Sequence, residues 1–302
     1  MRVSSLPEPL PQGPFLVHTA LELGVSRRRL RGRDLGRPIW GVRHPENRPP
    51  TFNDALTTAS TLVDPDEAFC RETAARVLDL PLPHEWNAAE PVRVSGPTIA
   101  SRLRRRGITS HRGLETRSTV MRGPHRCTDG VTTWADLATT LSLDDLIVLG
   151  DAVAHWKSGV SLLDLQAITA ARARQRGVQR LRAALPLIRT RSDSPKETST
   201  RLLFLRAGLP EPALNVSVTD EAGEWLGTGD FVWKRQRVVA EFDGDYHRVV
   251  RRRWQVDVDR REVIQDNGWH YVQLTAASVT HPVKVARTLD RLAGLLGVTL
   301  TR

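Results

Sequence analysis

Three acidic residues flank two short apolar runs that come late in the sequence. Asp230 precedes the run from Phe231 to Trp233, and Glu241 and Asp243 lie at the end of the run that begins at Val238. Both runs have β character and polar residues separate them, so the pattern predicts an antiparallel hairpin. Because side chains alternate between the two faces of a strand, Glu241 and Asp243 share one face.

The position of the hairpin turn sets which residues of the two strands lie opposite each other. A turn centred between residues 235 and 236 places Val232 opposite Val239. The same register places Asp230 opposite Glu241. All three carboxylates are therefore predicted to converge on one side of the hairpin.

Converging carboxylates repel one another, and a bound cation or a shared proton offsets that repulsion. Carboxylate oxygens are ligands that suit Mg²⁺ or Mn²⁺ better than zinc. The pattern therefore predicts a magnesium or manganese site held by Asp230, Glu241 and Asp243. The repulsion also predicts that Glu241→Ala preserves or raises stability in metal-free buffer. Ordinary turn chemistry is the other interpretation, because acids and Asp-Gly pairs are common at hairpin ends.

Helix and strand signals around the hairpin complete an α/β order. Ser194, Pro195 and Gly208 mark the two ends of one helix, because Ser favours the N-cap, Pro the first turn and Gly the end. Apolar patterning and turn residues predict the other elements, which are a strand at 214–219, a helix at 254–267, a strand at 269–274 and a helix at 283–296. A helix between two strands implies a right-handed crossover to a parallel partner.

This order, with an acid on the first helix, an Asp on the second strand and Glu-x-Asp on the third, resembles the PD-(D/E)xK nuclease superfamily. More narrowly, the stretch from Glu197 to Leu274 resembles a domain group related to the very-short-patch-repair endonucleases, through Glu241-Phe242-Asp243-Gly244, Tyr246-His247, Asp257, Arg260 and Gly268-Trp269. The resemblance implies a restriction-endonuclease-like αβββαβ domain that hydrolyses phosphodiester bonds with a metal ion. It also implies that Asp230 and Glu241 are the metal carboxylates and Glu197 an outer acid.

Asp243 occupies the position at which the superfamily carries a lysine. Proton transfer near the attacking water then falls to another group, and His247 is the predicted one because its imidazole titrates near neutral pH. Arg260 and Gln273 are further candidates, and an inactive site is the alternative. His247 also fits an exposed loop histidine. Glu197 lies three residues after the helix N-cap, so a capping box explains it as well as a metal site does.

The charge balance of the chain favours a polyanionic partner. Its 302 residues include 44 Lys and Arg, nearly all of them Arg, against 34 Asp and Glu, and the net charge is +10. This excess supports nucleic-acid binding, although Arg content also follows genomic base composition. Cys70 and Cys127 are far apart, which argues against a zinc site or a disulfide framework and favours the reducing cytoplasm. No apolar run predicts a membrane span or a signal peptide.

The N-terminal residues predict a DNA-binding motif. Residues 18–35 predict two short helices with a break at Gly24 and a cap at Ser26, as in a helix-turn-helix, and residues 36–44 predict a wing. Exposed arginines on the second helix would bind phosphates first and bases second. The predicted DNA-binding residues are Arg27, Arg28, Arg29 and Arg31. A solvated basic helix in a protein-contact module is the alternative.

The middle of the chain predicts helices, with one strand segment around 108–111. The segments 66–81 and 131–154 resemble the central region of AbiEi-type antitoxin-like proteins. Such proteins often carry a helix-turn-helix in front and a nuclease-like domain behind. This resemblance implies a toxin–antitoxin setting, in which a toxin protein is a partner besides DNA.

We therefore predict three domains: a winged helix-turn-helix at 1–50, a mainly helical domain at 51–190 and a nuclease-like α/β domain at 191–302. The predicted function is a cytoplasmic, magnesium-dependent DNA endonuclease. The alternative is a non-enzymatic, antitoxin-like transcriptional regulator with a degenerate nuclease fold. The absent lysine favours the regulator and the retained acids favour the enzyme, and fold resemblance alone does not decide between them.

Overall fold

Mixed α/β elements make up both halves of the structure. A computed structural model of the 302-residue chain describes residues 6–8, 10, 13–37, 39–45, 49–99, 106–242 and 260–301. Contacts between Cα atoms divide the chain into unit 1, which is Met1–Leu141 with Gln166–Leu181, and unit 2, which is Ser142–Leu165 with Arg182–Arg302. Within the described ranges, no helix combines the length and the apolar character that crossing a membrane requires.

The first elements of unit 1 form a small sheet with strand order β1-β3-β2. They are β1 (Phe15–Leu16), α1 (Val17–Glu22), β2 (Leu35–Gly36) and β3 (Val42–Pro45). The antiparallel pair of β2 and β3 lies where the wing is predicted. Gly24 has a φ of +81°, which suits the predicted break after α1 because glycine adopts the left-handed region without strain. The predicted second helix is a single 3₁₀ turn at Arg29–Arg31.

The second sheet of unit 1 has five strands in the order β6-β5-β4-β8-β7. The strands are β4 (Ala68–Phe69), β5 (Val92–Gly96), β6 (Ile108–Arg112), β7 (Thr119–Arg122) and β8 (His125–Thr128). The predicted strand at 108–111 is confirmed as β6. The expectation of a mainly helical middle is wrong for residues 68–128, because four further strands lie there. These strands are short and β4 pairs with the distant β8, so apart from Val92 and Val94 of β5 little local alternation marks them.

Helices account for most of the remaining middle region. They are α2 (Phe52–Ser60), α3 (Arg71–Val77), α4 (Gly130–Leu137), α5 (Leu143–Val153), α6 (Leu162–Ala171) and α7 (Val178–Ala184). Helix α5 belongs to unit 2, and the division between the units falls within α6 and α7. The helical expectation therefore holds for the part of the middle region that follows residue 130.

Unit 2 contains a four-stranded sheet in the order β12-β11-β10-β9. Its remaining elements are α8 (Pro195–Arg206), β9 (Ala213–Thr219), β10 (Trp225–Trp233), β11 (Val238–Phe242), α9 (260–266), β12 (His270–Leu274), α10 (Ala276–Thr280) and α11 (Pro282–Leu296). The pairing of Val232 with Val239 confirms the predicted hairpin register, and β12 runs parallel to β11 as the crossover predicts. Ser194 caps α8, also as predicted. Helix α10 was not predicted.

Each face of the unit 2 sheet buries its own apolar cluster. On one face, Phe204 of α8 and Leu292 of α11 pack against the strands. On the other face, Ile264 of α9 packs with Val239. Glu241 is two residues after Val239 on β11, so the α9 face also carries Glu241.

A buried ion pair joins α5 to α8 within unit 2. Arg201 is 0% and Asp151 1% exposed, and Arg201 Nη2 lies 3.1 Å from Asp151 Oδ2. The Asp151 carboxylate also accepts hydrogen bonds from the Thr198 hydroxyl at 2.8 Å and from the Arg189 amide at 2.7 Å. Burial raises the pKa of Asp151, and Arg201 opposes that rise. The predicted boundary between residues 190 and 191 therefore does not coincide with the start of unit 2.

Candidate carboxylate site

Glu241 is held by two hydrogen-bond donors that come from later elements. Its side chain is 11% exposed. Its Oε1 accepts from Arg260 Nη2 at 2.6 Å, and its Oε2 accepts from the Tyr271 hydroxyl at 2.9 Å. Burial raises the pKa of Tyr271 and the Glu241 charge raises it further, so the phenol stays protonated and donates. Tyr271 is not among the site residues that the sequence predicts.

Two glycines of β10 allow this arrangement. An ideal Cβ on Gly227 would lie 2.6 Å from Arg260 Nε, so the missing side chain leaves room for the guanidinium across the strand. There the same guanidinium also donates to the Thr228 carbonyl. An ideal Cβ on Gly229 would lie 2.5 Å from Val239 Cγ2. The glycines therefore let Arg260 approach Glu241 and let β10 and β11 pack closely.

Asp230 lies at the end of the hairpin ladder, next to Glu241. Its Oδ2 accepts a hydrogen bond from the Phe242 amide at 2.9 Å. Burial raises the pKa of Asp230 to about 6, and the charges of Glu197 and Asp193 contribute to the rise. The Phe242 amide and the Arg260 guanidinium act in the opposite direction. The described neighbours of Asp230 therefore do not fully offset the free-energy cost of ionising its carboxyl group. A bound cation would offset that cost.

Glu197 is engaged at the start of α8. Its carboxylate accepts from the Ser194 hydroxyl at 2.8 Å, from the Asp193 amide at 2.9 Å and from the Asn215 side chain at 2.6 Å. Its own amide donates to Ser194 Oγ at 3.2 Å. Glu197 therefore acts as a helix-capping residue, although it bonds the amide before the N-cap instead of the N-cap amide itself. Its charge still acts on Asp230.

The structure brings Asp230, Glu241 and Glu197 into one electrostatic environment. Arg260 connects Glu241 with Asp230, because it donates a hydrogen bond to Glu241 and its charge lowers the pKa of Asp230. Asp243 and His247, the other predicted site residues, lie outside the described residues. Among the residues that are described, no group of three or more His, Cys, Asp or Glu side chains is placed to hold a metal ion.

The carboxylate oxygens of Asp230 and Glu241 are of the chemical type that Mg²⁺ and Mn²⁺ prefer as ligands. Arg260 acts on both carboxylates, but it donates to Glu241 while the pKa of Asp230 stays raised, so Asp230 is the stronger candidate ligand. Glu197 already accepts three hydrogen bonds and is better suited to holding the site in place.

Three partners of the acids were not predicted: Tyr271, Asn215 and Asp193. The register that pairs Glu241 with Gln273 makes Tyr271 a diagonal neighbour on the same face, so the correct strand pairing would have found it. Asn215 has a φ of 49°, a left-handed conformation that asparagine tolerates better than most residues. No sequence pattern signals that backbone turn inside a strand.

We expect Glu241→Ala to lower stability, contrary to the expectation from charge repulsion alone. The change removes the acceptor for Arg260 and for the Tyr271 hydroxyl, and charged hydrogen bonds contribute about 1.5–3 kcal/mol. Urea unfolding in metal-free buffer measures the loss. Tyr271→Phe is the matched control, because it removes one of the two bonds and leaves the ion pair, so its loss should be smaller. A Glu241→Ala protein as stable as the wild type would contradict these contacts.

The predicted DNA-binding arginines separate into two groups. Arg27, Arg28 and Arg31 are exposed. Arg29 instead makes a bidentate ion pair with Asp34, with N–O distances of 3.0 and 2.7 Å. This bond lowers the pKa of Asp34. Arg29 therefore has a structural role in the turn, and the other three arginines have free access to a polyanion.

Comparisons with known proteins give no activity for this chain. No family model matches it. It is 29% identical over 122 residues to the uncharacterized protein MT2308 of Mycobacterium tuberculosis strain CDC 1551 / Oshkosh, and equally to the uncharacterized protein Rv2248 of Mycobacterium tuberculosis strain ATCC 25618 / H37Rv. Each match covers 39% of this chain and 45% of the relative, so it spans less than half of the relatives' length. No solved structure matches.

Proposed function

We propose that unit 2 carries a metal-dependent phosphodiesterase site that cleaves DNA, on a restriction-endonuclease-like αβββαβ domain. The observation that carries the proposal is Asp230, a half-buried carboxylate beside Glu241 whose pKa is raised to about 6 by burial and by the charges of Glu197 and Asp193. Ionisation of such a group is unfavourable unless a cation binds next to it. The order of helices and strands in unit 2 supports the proposed fold.

The residues take different parts in this proposal. Asp230 and Glu241, with Asp243, would hold Mg²⁺ or Mn²⁺, and Glu197 keeps the acids in position through its helix cap. The metal ion would lower the pKa of a bound water and so supply the hydroxide that attacks the phosphodiester. Arg260 holds Glu241 in place, and its positive charge would favour a phosphate bound at these carboxylates. His247 remains the proposed group for proton transfer.

The proposed DNA contact is a winged helix-turn-helix at the N-terminus, through the exposed arginines in and just before the 3₁₀ turn at Arg29–Arg31. We expect the triple replacement of Arg27, Arg28 and Arg31 by Ala to weaken binding to a random-sequence duplex. Each lost phosphate contact should reduce the slope of log K against log salt by about 0.9. Fluorescence anisotropy across a salt series measures both effects.

Arg29→Ala is the control for that series, because Arg29 is paired with Asp34. It should lower thermal stability and leave the salt slope nearly unchanged. If the triple variant keeps both affinity and slope, the DNA contact lies on another surface.

A second candidate function is an antitoxin-like transcriptional regulator, in which the nuclease fold binds a partner without catalysis. The observation that favours it is the engagement of both Glu241 oxygens by Arg260 and Tyr271, which neutralises this carboxylate without a metal ion. Asp243 in place of the superfamily's lysine favours it too. A toxin protein would then be the partner of unit 2.

A cleavage assay distinguishes the two candidates. Supercoiled plasmid, linear duplex and single-stranded DNA are incubated with the full chain and Mg²⁺ or Mn²⁺, with chelator, and with Asp230→Asn. The nuclease proposal expects cleavage that chelator and the variant both abolish. Intact DNA in every reaction, together with specific duplex binding, would favour the regulator.

A further inference from the structure

An exposed tryptophan with basic neighbours lies in the loop after α5. The Trp156 side chain is 54% exposed, although its backbone amide is fixed by a 2.9 Å bond to the Thr190 carbonyl. Lys157 Nζ lies 4.7 Å and the Arg191 guanidinium carbon 5.8 Å from the ring centroid. We name this surface, formed by Trp156, Lys157 and Arg191, the Trp156 platform.

The platform is connected to the carboxylate site through a short chain of hydrogen bonds within unit 2. His155, whose ring centroid lies 5.9 Å from that of Trp156, bonds Asp193 at 2.9 Å. The Asp193 amide in turn bonds Glu197. A second connection runs through Asn215, whose side chain donates both to the Arg191 carbonyl at 2.8 Å and to Glu197 at 2.6 Å.

These connections join the platform to Glu197 by hydrogen bonds. Asp193, two residues after Arg191, is close enough to Asp230 to raise its pKa. The platform and Glu197, whose charge acts on Asp230, therefore belong to one hydrogen-bonded segment of unit 2. The loop of Trp156 precedes the region that resembles a nuclease, so the motifs of that region do not include it.

The chemistry of the platform fits an unpaired nucleotide. The indole of Trp156 is more than half exposed, and base stacking on an exposed aromatic side chain is a sequence-tolerant source of affinity. The Lys157 ammonium and the Arg191 guanidinium lie over the ring on long side chains, so a stacked base would take the place of a cation and the displaced cation would bind a flanking phosphate. Stacking needs a free base face, which paired bases inside a duplex do not offer.

We propose that the Trp156 platform binds single-stranded nucleic acid, with one base stacked on Trp156 and its flanking phosphates on Lys157 and Arg191. The proposed binding of a single strand does not depend on the proposed nuclease function. The further statement that this strand is the substrate delivered to Asp230 and Glu241 rests on the proposed nuclease function. The substrate class of the site is then a single strand or a locally unpaired segment of DNA.

The test measures binding of a fluorescein-labelled oligothymidylate to the full chain in excess EDTA, which removes any role of a metal. Trp156→Ala is expected to weaken affinity about tenfold or more, in line with the loss of one stacked base. Trp156→Phe should restore most of that loss, because it keeps an aromatic face. Trp225→Ala is the matched control, since Trp225 is 65% exposed in the same unit, and its affinity should equal that of the wild type.

Three results would overturn the proposal. The first is an affinity for oligothymidylate that Trp156→Ala leaves unchanged, and the second is equal weakening by Trp156→Ala and Trp225→Ala. The third is tighter competition by a blunt duplex than by the single strand. Binding that depends on Trp156 without any divalent-dependent cleavage keeps the platform and rejects the nuclease, whereas cleavage without Trp156-dependent binding rejects the platform alone.

Discussion

Asp230→Asn is expected to raise the free energy of unfolding in metal-free buffer at pH 7.5 by about 2 kcal/mol. The pKa of Asp230 is raised to about 6 by burial and by the charges of Glu197 and Asp193. One pKa unit corresponds to about 1.36 kcal/mol, and the partial exposure of the group reduces the full value. Asparagine keeps an oxygen for the Phe242 amide and removes the unfavourable charge. Urea unfolding measures the difference.

The pH dependence of this effect has a defined sign. The folded pKa lies above the unfolded value of about 3.9, so the folded state binds more protons between these two values. The contribution of Asp230 to stability is therefore lost as pH rises through about 6. Wild type and Asp230→Asn should have similar stability near pH 4 and differ most above pH 7. Asp266→Asn, at an exposed position of α9, is the control for the removal of one carboxylate.

The expected stabilisation comes at the cost of function under the nuclease proposal. Asn has one oxygen and no charge, so it binds a divalent cation poorly. A variant that is more stable and inactive is what a functional carboxylate predicts. A variant that is less stable at every pH would show that Asp230 serves the fold.

Asp151→Ala is expected to have the largest effect on stability, a loss of about 3–5 kcal/mol. Asp151 and Arg201 are almost fully buried, and removal of Asp151 takes away the buried partner of the Arg201 charge. Arg201 would keep the Leu187 carbonyl and the partly exposed Glu211 as acceptors. The Thr198 hydroxyl and the Arg189 amide would also lose their acceptor. Thermal and urea unfolding of the full chain measure the loss.

The chain offers a closely matched control for this ion pair. Asp144 of α5 and Arg206 of α8 join the same two helices, but their side chains are 42% and 58% exposed. Exposed ion pairs contribute about 0–1 kcal/mol, so Asp144→Ala should be nearly neutral. Equal losses from the two variants would contradict the assignment of α5 to the core of unit 2.

Local signals were sufficient to predict much of unit 2. The N-cap at Ser194, the hairpin around residues 234–237 and the return to a parallel strand each depend on residues close together in sequence. The register of Val232 with Val239 follows from the position of the turn alone. The apolar faces of β10 and β11 then fix the packing of the helices.

The five-stranded sheet of unit 1 could not be predicted in this way. β4 has two residues, and the strands that pair with it, β5 and β8, are distant from it in the sequence. β7 carries exposed residues such as Met121, so it lacks an alternating pattern. Tertiary pairing stabilises these strands more than local propensity does.

In the candidate site, too, contacts within one hairpin are predictable from the sequence and contacts between distant elements are not. Asp230 and Glu241 belong to one hairpin, and their proximity follows from its register. The donors that hold Glu241 come from α9 and β12, and the Asp151–Arg201 pair joins residues fifty positions apart. Such partners depend on how elements pack, which residue spacing along one strand does not encode.

The binding of Mn²⁺ to chelator-treated protein at pH 7.5, measured by isothermal titration calorimetry, tests the central claim most directly. We predict that the wild-type chain binds Mn²⁺ and that Asp230→Asn loses this binding while remaining folded. Asp266→Asn should bind as the wild type does. Wild-type protein that binds no Mn²⁺, or Asp230→Asn protein that binds it with unchanged affinity, would contradict a metal site at these carboxylates.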